Sequence, residues 1–146
     1  MVCLGNICRS PLAEGILKSK VNPEKVEVDS AGTSNYHVGD SPDPRSIDTA
    51  KRYNLDISKQ RGRQFEVSDF DEFDHIFVMD QSNYADVVAL ARNEKDKEKV
   101  ALILEKIYPN EFREVPDPYF GKGDEGFEKV FQLLDQACDR IAKGVF

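Results

Sequence analysis

Tryptophan is absent from this chain, and histidine and methionine occur only twice each. Cysteine occurs three times, at Cys3, Cys8 and Cys138. Two histidines and three cysteines show no ligand spacing, so no metal site is expected. No apolar run approaches the roughly 20 residues of a membrane span. The chain also shows no charged-then-apolar leader, so the expectation is a cytoplasmic protein with reduced thiols and no disulfide framework. Basic residues are outnumbered: 20 Lys and Arg against 27 Asp and Glu give a net charge of −7. That balance argues against a nucleic-acid or anionic-membrane partner. It leaves a small anionic substrate open, because a pocket can be locally positive inside an acidic molecule.

What is present describes an ordinary globular domain. Of the 146 residues, 40% are hydrophobic and 32% charged, and the length predicts one domain spanning 1–146. Apolar residues at three- and four-residue spacing (Leu12, Ala13, Ile16, Leu17, Val21) predict a first helix, with Ser10 as its cap, Pro11 in its first turn and Asn22-Pro23 as its close. Val26 to Asp29 alternates like a strand. Ser46 to Tyr53 suits a short helix. Phe73 to Met79 reads as a buried strand, with His75 as a core residue. Asp80 to Ala91 reads as a helix and Lys99 to Leu104 as a strand. Gly123 to Lys143 predicts a long helix with Phe127, Val130, Phe131, Leu134, Ala137, Cys138 and Ile141 inward, leaving Cys138 as inert core.

Strands alternating with helices imply an α/β fold, a mostly parallel sheet covered on both faces. Ligands then gather at the carboxyl ends of the strands, where Cys3 to Arg9 falls. Only two residues precede Cys3, whereas a central strand has about 5–6. The expectation is a first strand truncated by a few residues.

The segment Cys3-Leu4-Gly5-Asn6-Ile7-Cys8-Arg9-Ser10 suits a phosphate ester. A strand-to-helix turn aims backbone N–H groups at one point, and the helix end adds partial positive charge. Gly5 permits loop conformations closed to other residues, and Arg9 can grip two phosphoryl oxygens at once. That field favours the thiolate of Cys3, the nucleophilic form. Ser10 could hydrogen-bond the sulfur and ease its departure.

VCLGNICRSPLAE resembles the signature loop of the low-molecular-weight protein tyrosine phosphatases. The resemblance continues, in the same order, through DSAGTSNYHVGDSPDPRS, MDQSN and VPDPYFG. It implies a three-layer fold of the phosphotyrosine phosphatase I-like kind, with a four-stranded parallel sheet in the order 2-1-3-4. It also implies a phosphocysteine at Cys3, with Arg9 and the loop residues Leu4, Gly5, Asn6, Ile7, Cys8 and Ser10 holding the phosphoryl group. Asp117 would be the acid and then the base. Without the resemblance Asp117 stands level with Asp43 of the other Asp-Pro pair. Pro118 biases Asp117 to extended backbone, and Tyr119 and Phe120 beside it could stack on an aromatic substrate. Asn6 and Ser30 would brace the loop. Asp80 would support it from behind or simply cap a helix, and Tyr36 would form an aromatic rim. Cys8 would guard Cys3 through a reversible disulfide, and Asp43 would support only a local turn.

The expected reaction is hydrolysis of phosphotyrosine in a protein partner, by a monomer without a cofactor, releasing inorganic phosphate. Two departures stand out. Gln60 occupies a place where many relatives carry His, and Tyr119-Phe120 replaces a Tyr-Tyr pair, which removes one phosphorylatable hydroxyl. Three alternatives remain. An arsenate reductase needs two further mobile cysteines, which are missing between Cys8 and Cys138. A protein-arginine phosphatase would resemble CTGNTCRS, with Thr where this chain has the bulkier Ile7. A phosphocysteine carrier would have no use for Arg9 and Asp117 together.

Overall fold

Alternation along two short strands decides the layering. Val2, Ile76 and Val78 point to one face of the sheet, while Cys3, Phe77 and Met79 point to the other, as the period of two requires. The computed structural model describes residues 1–120 and 125–144. In it, β1 (Val2–Cys3), β2 (Ala31–Gly32), β3 (Ile76–Val78) and β4 (Val100–Leu102) form one parallel sheet in the order β2-β1-β3-β4. Order and direction agree with the sequence expectation.

The helices are α1 (Arg9–Lys18), α2 (Pro44–Arg52), α3 (Asp69–Glu72), α4 (Gln81–Val88), α5 (Glu94–Glu98) and α6 (Glu125–Gly144). One face carries α1, α2 and α6, which bury Leu12, Ile16, Ala50, Leu134 and Ile141 with Cys3, Phe77 and Met79. The other face packs Phe65, Phe70 and Val87 on Val2, Ile76, Val78, Val100 and Leu102. Along α6 the buried residues are the seven anticipated from spacing, Phe127 to Ile141. None of the described helices is long and apolar enough to cross a membrane.

Several boundaries differ, each for a local reason. Residues 26–29 are not paired as a strand. The neighbouring strand offers only Val2 and Cys3, and the Met1 ammonium donates to the Asp29 carbonyl at 3.0 Å. A groove of about 310 Å³ lies beyond Met1, lined by Val26, Val28, Phe73 and His75. Within Phe73 to Met79 only Ile76–Val78 pairs; His75 is exposed and stacks on Phe77 at 6.1 Å, so it is not a core residue. β4 stops at Leu102, where Ile103–Lys106 tightens into a 3₁₀ turn.

Cys8, not Ser10, occupies the cap position of α1, and no side chain caps it, because the Ser10 hydroxyl is turned to Cys3. The helix ends at Lys18, where the Ser19 amide closes on the Gly15 and Ile16 carbonyls, leaving Val21 outside. α2 starts two residues earlier than expected because Asp43 caps it through the Arg45 amide at 2.8 Å, with Pro44 in the first turn. The helix expected over Asp80 to Ala91 ends at Val88, and Asn93 caps a separate α5. The Gly123 start expected for α6 lies outside the described residues.

Cys138 sits in the α1–α6 seam, its Sγ 3.8 Å from the Ala13 carbonyl oxygen. Burial pushes its thiol up to about 12 from an ordinary 9.0. The unfolded chain therefore ionises first. The stability this thiol contributes is complete below about pH 9 and is lost as pH rises toward 12. Cys138→Ala should cost stability at neutral pH, with a difference from wild type that shrinks steadily above about pH 9. Urea unfolding of both proteins across that range checks it, and a constant difference would contradict it.

Candidate active site

The turn that joins β1 to α1 has one residue in the left-handed region, Asn6, with φ of 58°. Sequence reasoning gave that freedom to Gly5, which does not adopt a positive φ. Gly5 instead allows a close approach: a Cβ there would stand 3.0 Å from Cδ2 of His37. The glycine that loop shape demands is Gly32 in β2. A Cβ on it would lie 2.8 Å from the Leu4 carbonyl oxygen and 3.2 Å from the Asn6 amide nitrogen.

Asn6 is fully engaged. Its amide nitrogen Nδ2 donates to Ser10 Oγ at 2.7 Å and to Ser30 Oγ at 3.0 Å, while Oδ1 accepts from the Arg63 backbone amide at 3.1 Å. The Arg63 contact fixes the side-chain orientation, since only an oxygen can accept it. The Ser30 hydroxyl in turn donates a hydrogen bond to Glu14 Oε1 at 2.6 Å, and Lys18 donates to the other Glu14 oxygen at 2.7 Å. Ser10, already accepting from Asn6, lies 3.1 Å from Cys3 Sγ, which also receives the Asn6 backbone N–H at 3.3 Å. The predicted Asn6–Ser30 brace is therefore present. Glu14 and Arg63 were missed: a charged residue four positions after Ser10, amid the apolar run Leu12, Ala13, Ile16 and Leu17, was the available signal for Glu14.

Arg9 is 2% exposed. Its Nη1 donates to Asp80 Oδ2 at 2.7 Å and to the Val115 carbonyl at 3.0 Å, and Nη2 lies 3.5 Å from Asp117 Oδ2. Asp80 makes two contacts at once. Oδ1 accepts the Asn83 amide at 2.8 Å in a reciprocal cap of α4, while Oδ2 holds Arg9. The fold thus brings Cys3, Arg9, Asp80 and Asp117 together from across the chain. Asp117 Oδ1 accepts the Tyr119 amide at 3.0 Å.

Of the other predicted residues, Leu4, Tyr119 and Tyr36 are exposed, and Ile7 is half-buried. Tyr36 stands in the turn after Ser34, whose amide and hydroxyl both donate to the Leu4 carbonyl at 3.0 Å. Cys8 is buried. Burial first, then the charges of Asp43, Cys3 and Asp117, push its thiol up to about 12, against a hydrogen bond from Ser46 that acts the other way. Asp43 does more than shape a turn. Its backbone amide donates to the Ile7 carbonyl at 2.8 Å, and its carboxylate holds Arg45.

Asn6→Ala should lose three buried side-chain hydrogen bonds, about 1 kcal/mol each, plus about 1–2 kcal/mol for Ala in the left-handed region. Asn6→Gly loses only the first set. Equilibrium unfolding should rank wild type above Asn6→Gly above Asn6→Ala, and equal stability of the two variants would remove the conformational argument.

The family model for low molecular weight phosphotyrosine protein phosphatases matches residues 1–145. A Synechocystis sp. protein that carries the same family name provisionally is 46% identical over 146 residues, covering 96% of this chain and 90% of its own. A crystal structure of a protein tyrosine phosphatase from Entamoeba histolytica superposes with a TM-score of 0.88 at 38% identity, covering 96% of this chain and 90% of that one. A Drosophila protein described as an arginine phosphatase superposes with a TM-score of 0.89 at 34% identity, covering 99% and 94%. The chain is therefore a member of the low-molecular-weight protein tyrosine phosphatase family.

Proposed function

We propose that this enzyme hydrolyses phosphotyrosine in proteins in two steps. Cys3 Sγ attacks phosphorus, the P–O bond to the tyrosine breaks, and Asp117 gives its proton to the departing phenolate. Water then attacks the phosphocysteine, Asp117 takes the water's proton, the S–P bond breaks and inorganic phosphate leaves. Arg9 spends Nη1 on Asp80 and Val115, which orients its Nε–Nη2 edge to grip two phosphoryl oxygens beside the loop amides. The loop of residues 4–10 would wrap the phosphoryl group, with Ile7, Tyr36 and Tyr119 flanking the ring.

One observation carries this reading: the direction of the hydrogen bonds that end on Cys3. Glu14 can only accept when ionised, so Ser30 donates to it and must accept from Asn6. Asn6 also donates to Ser10, which leaves the Ser10 proton for Cys3 Sγ. The network is polarised to stabilise a thiolate, both as nucleophile and as leaving group.

The arginine-phosphatase reading is not better supported, and Ile7 favours a flat ring over a guanidinium. Cys8 is proposed to guard Cys3: peroxide oxidises Cys3 to the sulfenic acid, and Cys8 displaces water to form the disulfide. One chain supplies every reacting group, so a monomer suffices, and three free thiols suit a reducing cytoplasm.

Steady-state hydrolysis of phenyl phosphate and a phosphotyrosine peptide tests the scheme. Cys3→Ser should abolish turnover, and Asp117→Asn should lower kcat by about 10²–10⁴-fold. Full activity in Cys3→Ser would end the mechanism. Phosphoarginine turned over faster than the phosphotyrosine peptide would redirect the substrate.

A further inference from the structure

Arg45 belongs to none of the steps above, yet it stands between the two halves of the site. It lies in the first turn of α2, and its guanidinium is forked onto Asp43, Nε to Oδ1 at 3.0 Å and Nη2 to Oδ2 at 2.9 Å. Asp43 is tied to the catalytic loop, since its amide donates to the Ile7 carbonyl. Ser46, one residue beyond Arg45, adds a second tie, its hydroxyl donating to the Cys8 carbonyl at 3.3 Å. On the opposite side, the Arg45 Cζ lies 4.6 Å from the centroid of the Phe127 ring and 5.6 Å from that of Tyr119. Both distances fall within the range where a guanidinium is attracted to a ring face. Tyr119 in turn donates its amide to the Asp117 carboxylate.

We propose that Arg45, latched by Asp43, is a positioning residue that sets residues 117–119 at a fixed place over the catalytic loop. The inference rests on the reading of Asp117 as proton donor and extends it to the part that aims the proton. The line runs from the loop carbonyl of Ile7, through the Asp43–Arg45 fork, to the Tyr119 ring and so to Asp117. Partial burial alone would raise the Asp43 carboxyl, but the Arg45 side chain and amide hold it below the usual carboxylate range. The fork is therefore ionised wherever the enzyme works. Lysine could carry the charge but could neither fork to Asp43 nor lie flat between two rings. Pro118 rests against the start of α6, 3.6 Å from where a Cβ on Gly126 would stand. That contact seats the segment, and Arg45 fixes its rotation above the loop.

A misaimed donor has a particular kinetic signature. Protonation of the leaving oxygen matters most when that oxygen is a poor leaving group. The test measures kcat/KM for phenyl, 4-nitrophenyl and 2,4-dinitrophenyl phosphate with wild type, Arg45→Met, Arg45→Lys, Asp43→Asn and Asp117→Asn. Asn caps helices as well as Asp does, so Asp43→Asn keeps α2 while weakening the fork. Arg45→Met should lose about tenfold on phenyl phosphate and about twofold on the dinitrophenyl ester, a fraction of the 10²–10⁴ that a general acid supplies. Arg45→Lys and Asp43→Asn should fall between it and wild type. Arg45→Met combined with Asp43→Asn should show no steeper slope than Arg45→Met alone, because both cut one line.

A drop of equal size on all three esters would mean that Arg45 only holds the fold together, and would overturn the proposal. So would an unchanged slope in Arg45→Met when Asp117→Asn steepens it. If Asp117→Asn itself leaves the slope flat, the proton-donor reading fails and the positioning role goes with it.

Discussion

A guanidinium with almost no exposed surface organises this molecule. A buried charge is tolerated only when paired and hydrogen-bonded, and Arg9 finds its partners far away in sequence, at Asp80, Val115 and Asp117. Satisfying one cation therefore fixes the relative placement of three segments: the loop after β1, the end of β3, and the stretch before the 3₁₀ turn at Pro118–Phe120. Further backbone bonds follow the same path, with the Met79 amide donating to Val2 and the Val115 amide to Met79. The loop of residues 4–10 and the segment that bears Asp117 are thus held in one frame built around Arg9.

Behind that loop the requirement is shape. Asn6 accepts a left-handed backbone because every polar atom of its side chain is used there. Gly32 leaves room for the loop backbone, and Arg63, paired with Asp29 and Asp69, delivers the amide that orients Asn6. Strain at one residue is offset by bonds from three others, which is how a sparsely populated conformation persists.

The layered sheet, its strand order and the buried face of α6 were legible in the sequence because periodicity reports burial directly. The Cys3-to-Arg9 loop was legible because its chemistry is local. What escaped depends on distant partners. Glu14 reads as one more helix surface residue until Ser30 arrives from just before β2, and Arg63 reads as a loop cation until Asn6 needs its amide. His75 was misplaced because strand length depends on how many residues the neighbouring strand offers, a quantity that no single segment carries. Ser10 looked like a cap because its residue type and position fit one, but the thiol beside it makes the stronger claim on its hydroxyl. Asp80 shows the opposite case, where both readings hold because a carboxylate has two oxygens.

The acidity of the chain also takes on a different meaning at the site. Arg9 is already shared between Asp80 and Asp117, so the loop does not present a bare positive charge to an incoming phosphate. In the proposed reaction, a phosphate dianion next to Cys3 would face a second negative charge at Asp117 if that carboxyl were ionised. Carrying the proton for the leaving group also removes that repulsion. When the first step delivers the proton to the leaving oxygen, the product departs as the neutral phenol, Asp117 becomes negative at that moment, and it can then draw a proton from water. In that scheme Asp80 stays outside the exchange, tied to Arg9 at 2.7 Å and to the cap of α4. Each of the two carboxylates gives one oxygen to a backbone amide, but Arg9 holds the other oxygen of Asp80 at 2.7 Å and that of Asp117 only at 3.5 Å, so in the proposed reaction Asp117 is the freer of the two to exchange a proton.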